Sequence, residues 1–251
     1  MKNSKFNSLA ILATTSLILL SGCSKSGKSD NQAANQPSTD KPSLSAALSP
    51  QGVKAAAIAA LPQANPNTPL DQYTPLTSGN QLMFLYYGLS SMPVDYEKIA
   101  QKYSQEYRST SDVFKQKDIL NALKPRIDAE IAQAKNNRYF MMRGDANLSN
   151  YDFNAKDFPN NDALLSSGGY GYFYDNNGYH YSFTNGADFK MLKVADEAKA
   201  RQIEGMVNKY PSMKIVYYAY AQDIDPNSMT VKAQIVKVKL LDASGNELYA
   251  Q

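Results

Sequence analysis

The chain has 251 residues and a formal net charge of +3, from 26 basic and 23 acidic side chains. It contains one histidine and one cysteine, too few for the zinc sites that are built from several such ligands. The P-loop, the G-x-G-x-x-G cradle and the G-x-S-x-G nucleophile motif are absent. We therefore predict no cofactor, no metal and no catalytic site that a motif would mark.

The amino terminus has the features of an export signal. Lys2 and Lys5 precede Leu9–Leu20, an uncharged and mostly apolar run of twelve residues. A helix that spans a bilayer needs about 20 residues, so this run fits a signal peptide rather than a membrane span. We predict a signal peptide over residues 1–22.

The signal ends in Leu-Ser-Gly-Cys at 20–23, which resembles the lipobox of bacterial lipoproteins. In that family the cysteine thiol receives a diacylglycerol, the signal is cut just before it, and the new amino group is acylated. The resemblance implies that Cys23 is lipidated and anchors the chain to a membrane, since each buried methylene contributes about 0.8 kcal/mol. The alternative is an ordinary secretory signal with an incidental cysteine. Ser24 follows in place of Asp, which by resemblance to Gram-negative sorting implies the outer membrane.

Removal of the signal leaves 24 basic and 23 acidic side chains. A nearly neutral chain gives no sign of the clustered basic surface that nucleic-acid-binding proteins carry, so we predict no nucleic-acid partner. A lone lipidated cysteine cannot form an internal disulfide or a Cys–His nucleophile pair. The domain must then be stabilised by the packing of its core.

Residues 23–70 are predicted to be a tether. The stretch SKSGKSDNQAANQPSTDKPS has almost no large apolar side chains, so burial cannot offset the entropy of ordering and we expect disorder. Within the tether, 53–61 (VKAAAIAAL) favours a helix, although nine residues are marginal alone. This helix is either transient or a docking element.

The folded domain, residues 71–251, is predicted to begin with helices. Ser78 or Thr77 can cap the first of them. Pro125 lies inside the third and predicts a kink or break, because it removes a backbone donor and clashes with the preceding turn. The three helices are expected over 82–89, from Asp95 towards Tyr107, and over Asp112–Lys135.

Strands dominate the rest of the domain. They are expected over 138–145, in the aromatic runs around 177–178, over 213–224 and 230–241, and after a turn at 242–246, with one helix over 194–210. The apolar alternation changes phase near Ile235, which predicts a β-bulge there. This order predicts an α+β fold, with N-terminal helices followed by a mostly antiparallel sheet and one inserted helix.

Asn177-Gly178 between two aromatic runs is typical of a two-residue hairpin turn. That turn would pair Asp175 with His180 and place five aromatic side chains on one face. They are Tyr170, Tyr172, Tyr174, Tyr181 and Phe183. Tyrosine suits partner surfaces because its ring buries a large area while its hydroxyl stays hydrated. These five are the candidate binding residues, unless this face is the core side of the sheet.

Four short stretches resemble an uncharacterised domain of bacterial exported proteins. They are PVDYEKIA (93–100), YDFNAKDFP (151–159), VADEAKARQIE (194–204) and AQIVKVKLLDASGN (233–246). The resemblance spans roughly 80–250 and implies the boundaries of the domain. It implies no activity.

Two groups of residues could support catalysis or metal binding although no sequence motif marks them. His180 oriented by Asp175 could serve a serine nucleophile, although a cross-strand charge pair is the simpler interpretation. Oxygen ligands that suit calcium also cluster between 152 and 162, but without EF-hand spacing, and such residues are common in turns. They are Asp152, Asn154, Asp157, Asn160, Asn161 and Asp162.

These features predict a lipid-anchored interaction module on the periplasmic face of the outer membrane, and favour binding over catalysis. The membrane is its partner through the lipid on Cys23. A second partner would be another envelope protein or a cell-wall glycan. The alternative is a periplasmic hydrolase that uses paired carboxylates, because glycosidase chemistry needs two carboxyl groups in the right geometry and no motif.

Overall fold

The computed structural model describes residues 48–251. The predicted signal peptide, Cys23 and the first part of the tether lie outside the described residues. Within them the helices are α1 Pro50–Ala59, α2 Gly79–Leu89, α3 Tyr96–Tyr103, α4 Gln105–Ser109, α5 Val113–Asn136 and α6 Glu197–Glu204. In the part of the chain that the structure describes, no helix is both long and apolar enough to cross a bilayer.

The strands form one large sheet and a small ribbon. They are β1 Thr74–Pro75, β2 Tyr139–Asp145, β3 Asp157–Pro159, β4 Gly171–Tyr172, β5 His180–Phe183, β6 Met191–Lys193, β7 Lys214–Asp225, β8 Thr230–Leu241 and β9 Glu247–Ala250. The sheet has the order β1-β2-β7-β8-β5-β4 with β9 on β8, while β3 and β6 pair separately. Only β1–β2 and β5–β8 run parallel within this sheet of the described residues. The predicted α+β fold with a mostly antiparallel sheet is confirmed.

The helix starts follow from their caps. Ser78 forms a capping box at the start of α2, and Asp95 and Asp112 cap α3 and α5 through their carboxylates. These three predicted starts are confirmed. The second helix ends earlier than predicted, because the Ser104 hydroxyl accepts from a backbone N–H and starts the new helix α4. Of the kink or break predicted at Pro125, the break is wrong, since α5 continues through this residue.

The long hairpin β7–β8 carries the predicted bulge. Tyr218 pairs with Lys237 and Ala219 with Ile235, so Val236 is the extra residue. The bulge near Ile235 is confirmed. It lets β8 change which side chains face the core partway along the strand. The inserted helix is shorter than predicted, since α6 ends at Glu204.

Two apolar clusters form the core. One packs α2, α3 and α5 on the sheet, and the other packs α6 and the β3–β6 ribbon on it. The α5 helix joins the first cluster on both sides of Pro125, through Leu123, Ile127 and Ile131. This packing explains why the helix continues despite one missing backbone hydrogen bond.

Ile127 is the one fully buried side chain of the described helix α5. We expect Ile127→Ala to lower the free energy of unfolding by about 2–5 kcal/mol, through lost burial and the cavity left behind. Denaturant unfolding measures this change. Val113→Ala on the same helix, where Val113 is exposed, should change stability by less than about 0.5 kcal/mol. Equal losses in the two variants would contradict this packing.

The structure differs from the expected disorder in the part of the tether that it describes. The Gln222 side chain donates to the carbonyl of Pro62 (2.9 Å), and the backbone N–H of Ala64 donates to the Gln234 side chain (2.9 Å). Residues 62–65 therefore lie along the sheet, and α1 precedes them. Composition could not show this, because polar side chains of distant strands supply the partners.

Candidate functional site

The hairpin that carries the candidate tyrosines has a different register from the predicted one. Tyr172 pairs with His180 and Gly171 with Tyr181, so the connection is a seven-residue loop, 173–179. The predicted two-residue turn is wrong. Asn177 has φ −73° and ψ 2°, whereas that turn type needs positive φ at both central residues.

Contacts with α2 account for the longer loop. The Asp175 carboxylate accepts hydrogen bonds from the backbone N–H groups of Gly79 (2.8 Å) and Asn80 (3.3 Å). Tyr179 is 1% exposed and packs edge-to-face on Tyr86. Burial of this ring and capping of the helix outweigh the local preference of Asn-Gly for a tight turn.

The surroundings of His180 differ from the predicted ones. The predicted pairing with Asp175 is wrong, because Asp175 lies at the start of α2. The Nδ1 atom of His180 lies 3.0 Å from the carbonyl oxygen of Ser228. That contact orients the ring, but it supplies no negative charge to assist a serine nucleophile.

The five candidate aromatic residues do not share one face. Tyr170, Tyr172 and Tyr174 are 59%, 44% and 91% exposed. Tyr181 and Phe183 are half-buried and pack against the apolar cluster that α2, α3 and α5 form with the sheet. Burial raises the pKa of Tyr181 to about 12. The core-side alternative thus describes these last two residues, while the three exposed tyrosines remain candidates.

The exposed tyrosines gather around the histidine. The Tyr170 and His180 rings meet edge-to-face at 4.9 Å between centroids, and Tyr172 lies 6.2 Å from the same imidazole. Tyr172 in turn meets Tyr174 at 5.6 Å. We call these four residues the aromatic rim. His180 belongs to the aromatic rim because the observed register places this residue opposite Tyr172.

A cleft of about 870 Å³ adjoins the aromatic rim. It is lined by residues from 54–61, 165–170, 180–187 and 225–232, and Tyr170 and His180 belong to both cleft and rim. Four separate segments build it, one of them from the predicted tether. Sequence reasoning missed the cleft because none of these segments has a motif of its own.

Polar side chains line one wall of the cleft in a row across two strands. His180 and Ser182 alternate with the inward-facing residues of β5. The parallel pairing of β5 and β8 places Thr230 beside His180 and Lys232 beside Ser182. Lys54 enters the cleft from α1. The lining thus combines hydroxyl, imidazole and ammonium groups with apolar surface.

The oxygen ligands considered for calcium are held in separate local contacts. Asp152 accepts from two backbone N–H groups of its own turn, which hold its pKa below the usual range. The buried Asp157 pairs with Lys193 at 2.7 Å, and Asp162 accepts from the Tyr217 hydroxyl at 2.8 Å. Among the described residues, no group of three or more His, Cys, Asp or Glu side chains is placed to hold a metal ion.

Comparisons with known proteins find no match: no protein-family model, no curated protein and no solved structure is significantly similar to this chain. The resemblance to a domain of exported proteins therefore stays a prediction. The cleft and the aromatic rim are the features of the described residues that suit a ligand.

Proposed function

We propose that this chain is a lipid-anchored envelope protein that binds a glycan segment in the cleft. Cys23 supplies the anchor, and the aromatic rim supplies the stacking surface. The observation that carries the proposal is the exposure of Tyr170 and Tyr172 around His180, at the edge of a cleft of about 870 Å³.

The chemistry of the lining suits a sugar chain. Sugar rings present C–H groups on their faces, which pack on the electron-rich face of an aromatic ring. Their hydroxyl groups exchange hydrogen bonds with serine and threonine side chains, which both donate and accept. Ser182 and Thr230 line the cleft beside the aromatic rim, so one ligand can use both kinds of contact.

The shape favours a glycan over a protein partner. Ligand pockets usually enclose about 300–1,000 Å³, and the cleft lies within that range. A protein that added a strand at this edge would need a longer row of free backbone groups. The edge strand β4 has two residues.

The hydrolase alternative finds less support in the cleft. Glycosidases need two carboxyl groups that flank the scissile bond. Among the described residues that line the cleft, Asp225 is the one carboxylate. Hydrogen bonds from the Asn227 N–H and from Ser228 lower its pKa, whereas a general acid needs a raised one.

Titration of the full-length chain in detergent with soluble fragments of digested peptidoglycan tests the proposal. We expect saturable binding and no new reducing ends. Release of reducing ends would instead establish the hydrolase. Absence of saturable binding would contradict a glycan site.

A further inference from the structure

The cleft contains two lysine side chains whose ammonium groups form no ion pair with a carboxylate of the described residues. The Lys54 ammonium donates to the neutral Ser167 hydroxyl at 3.1 Å. The Lys232 ammonium forms no hydrogen bond and no ion pair within residues 48–251, where β8 holds the residue between Ser182 and Asp223. By contrast, the ammonium groups of Lys193, Lys214 and Lys239 each meet a carboxylate.

The acidic group in the cleft does not cancel this charge. Asp225 lies at the turn between β7 and β8, and its carboxylate accepts from the Asn227 N–H at 3.0 Å. It is not within ion-pair distance of Lys232 in the described structure, although the Lys232 charge also lowers its pKa. The two ammonium groups outnumber the one carboxylate and give the cleft a net positive charge.

The hydroxyl donors lie beside these cations. Ser182 is paired with Lys232 across β5 and β8, and Ser167 lies within hydrogen-bond distance of Lys54. The Ser182 hydroxyl makes no hydrogen bond within the described residues. A cation with an adjacent hydroxyl donor on each wall is an arrangement that binds an oxyanion, because hydrogen bonds to a charged acceptor are stronger than neutral ones.

Building on the proposed function, we propose that the bound glycan carries an acidic group, a carboxylate or a phosphate, which Lys54 and Lys232 bind. The sugar rings stack on the aromatic rim while the acidic group enters the cleft. Because Lys54 belongs to α1, which has no fully buried residue, the ligand also ties α1 to the sheet.

The test compares matched ligands by titration of the full-length chain in detergent. The probes are trigalacturonate and its methyl ester, which share the sugar chain and differ in charge, and maltotriose with and without one phosphate. We expect one acidic probe to bind about tenfold more tightly than its neutral partner. A preference within the galacturonate pair would identify the acidic group as a carboxylate, and a preference within the maltotriose pair would identify it as a phosphate. High salt should reduce that preference.

Variants locate the acidic group. Lys232→Gln and Lys54→Gln should each remove the preference for the acidic probe, whereas Lys237→Gln, on the same strand outside the cleft, should keep it. Amide exchange of residues 50–61 should slow when the acidic probe binds. Equal binding of acidic and neutral probes would overturn this inference and leave the glycan site intact. If no probe bound and digested peptidoglycan also failed to bind, the proposed function would fall as well.

Discussion

Replacement of Tyr170 and Tyr172 together by alanine is expected to weaken glycan binding by about 10- to 100-fold. Both rings are exposed and meet the His180 imidazole. They provide the surface on which sugar rings would stack, and alanine removes that surface, including the part of the cleft wall that Tyr170 forms, while leaving the other lining residues in place. Titration of the full-length double variant with digested peptidoglycan measures the loss.

The same double variant should keep its stability. Neither ring contributes to the buried core, so the free energy of unfolding should change by less than about 1 kcal/mol. Phe114→Ala is the control, since Phe114 is 81% exposed on α5 and does not line the cleft. Its affinity should equal that of the unmodified chain. Undiminished affinity in the tyrosine double variant would show that the aromatic rim does not bind the ligand.

Replacement of Cys23 by serine is expected to move essentially all of the protein from the membrane fraction to the soluble fraction. The thiol is the predicted site of the diacylglycerol, and a hydroxyl does not receive it. Several acyl chains at about 0.8 kcal/mol per buried methylene make attachment to the membrane effectively permanent. Without these chains, the loss of membrane attachment should be complete rather than partial. Cell fractionation and incorporation of labelled palmitate measure both effects.

Ser24→Ala is the matched control for the anchor. It changes the neighbouring residue and keeps the four residues at 20–23, so label and membrane attachment should persist. A Cys23→Ser protein that still incorporated palmitate would refute lipidation at this position. The ordinary secretory signal, considered as the alternative, predicts instead that even the unmodified chain carries no label.

The helices could be predicted because their signals are local. Ser78, Asp95 and Asp112 each satisfy free backbone N–H groups within one turn of their own position. The bulge could also be predicted, since a change of phase in the apolar alternation around Ile235 has no other simple cause in a strand. Where residues near in sequence decide the conformation, the pattern was sufficient.

The hairpin register and the cleft could not be predicted because distant residues decide them. Asn177-Gly178 favours a tight turn. However, the Asp175 carboxylate accepts a hydrogen bond at the start of α2, and Tyr179 is buried in the core of the domain. Similarly, α1 joins the cleft through Lys54, whose partner Ser167 is 113 positions away. Neither contact produces a periodic pattern in the sequence. The sequence therefore indicated the candidate aromatic residues but not how they are arranged in space.

Photo-crosslinking in cells from position 172 tests the central claim most directly. A benzophenone-bearing phenylalanine keeps an aromatic ring there, and Lys102, exposed on α3, is the control site. We predict a discrete adduct at 172 that mass spectrometry identifies as glycan, and none at 102. The absence of an adduct at 172, or an adduct that contains only protein, in a chain that is folded and lipidated would contradict a glycan-binding aromatic rim.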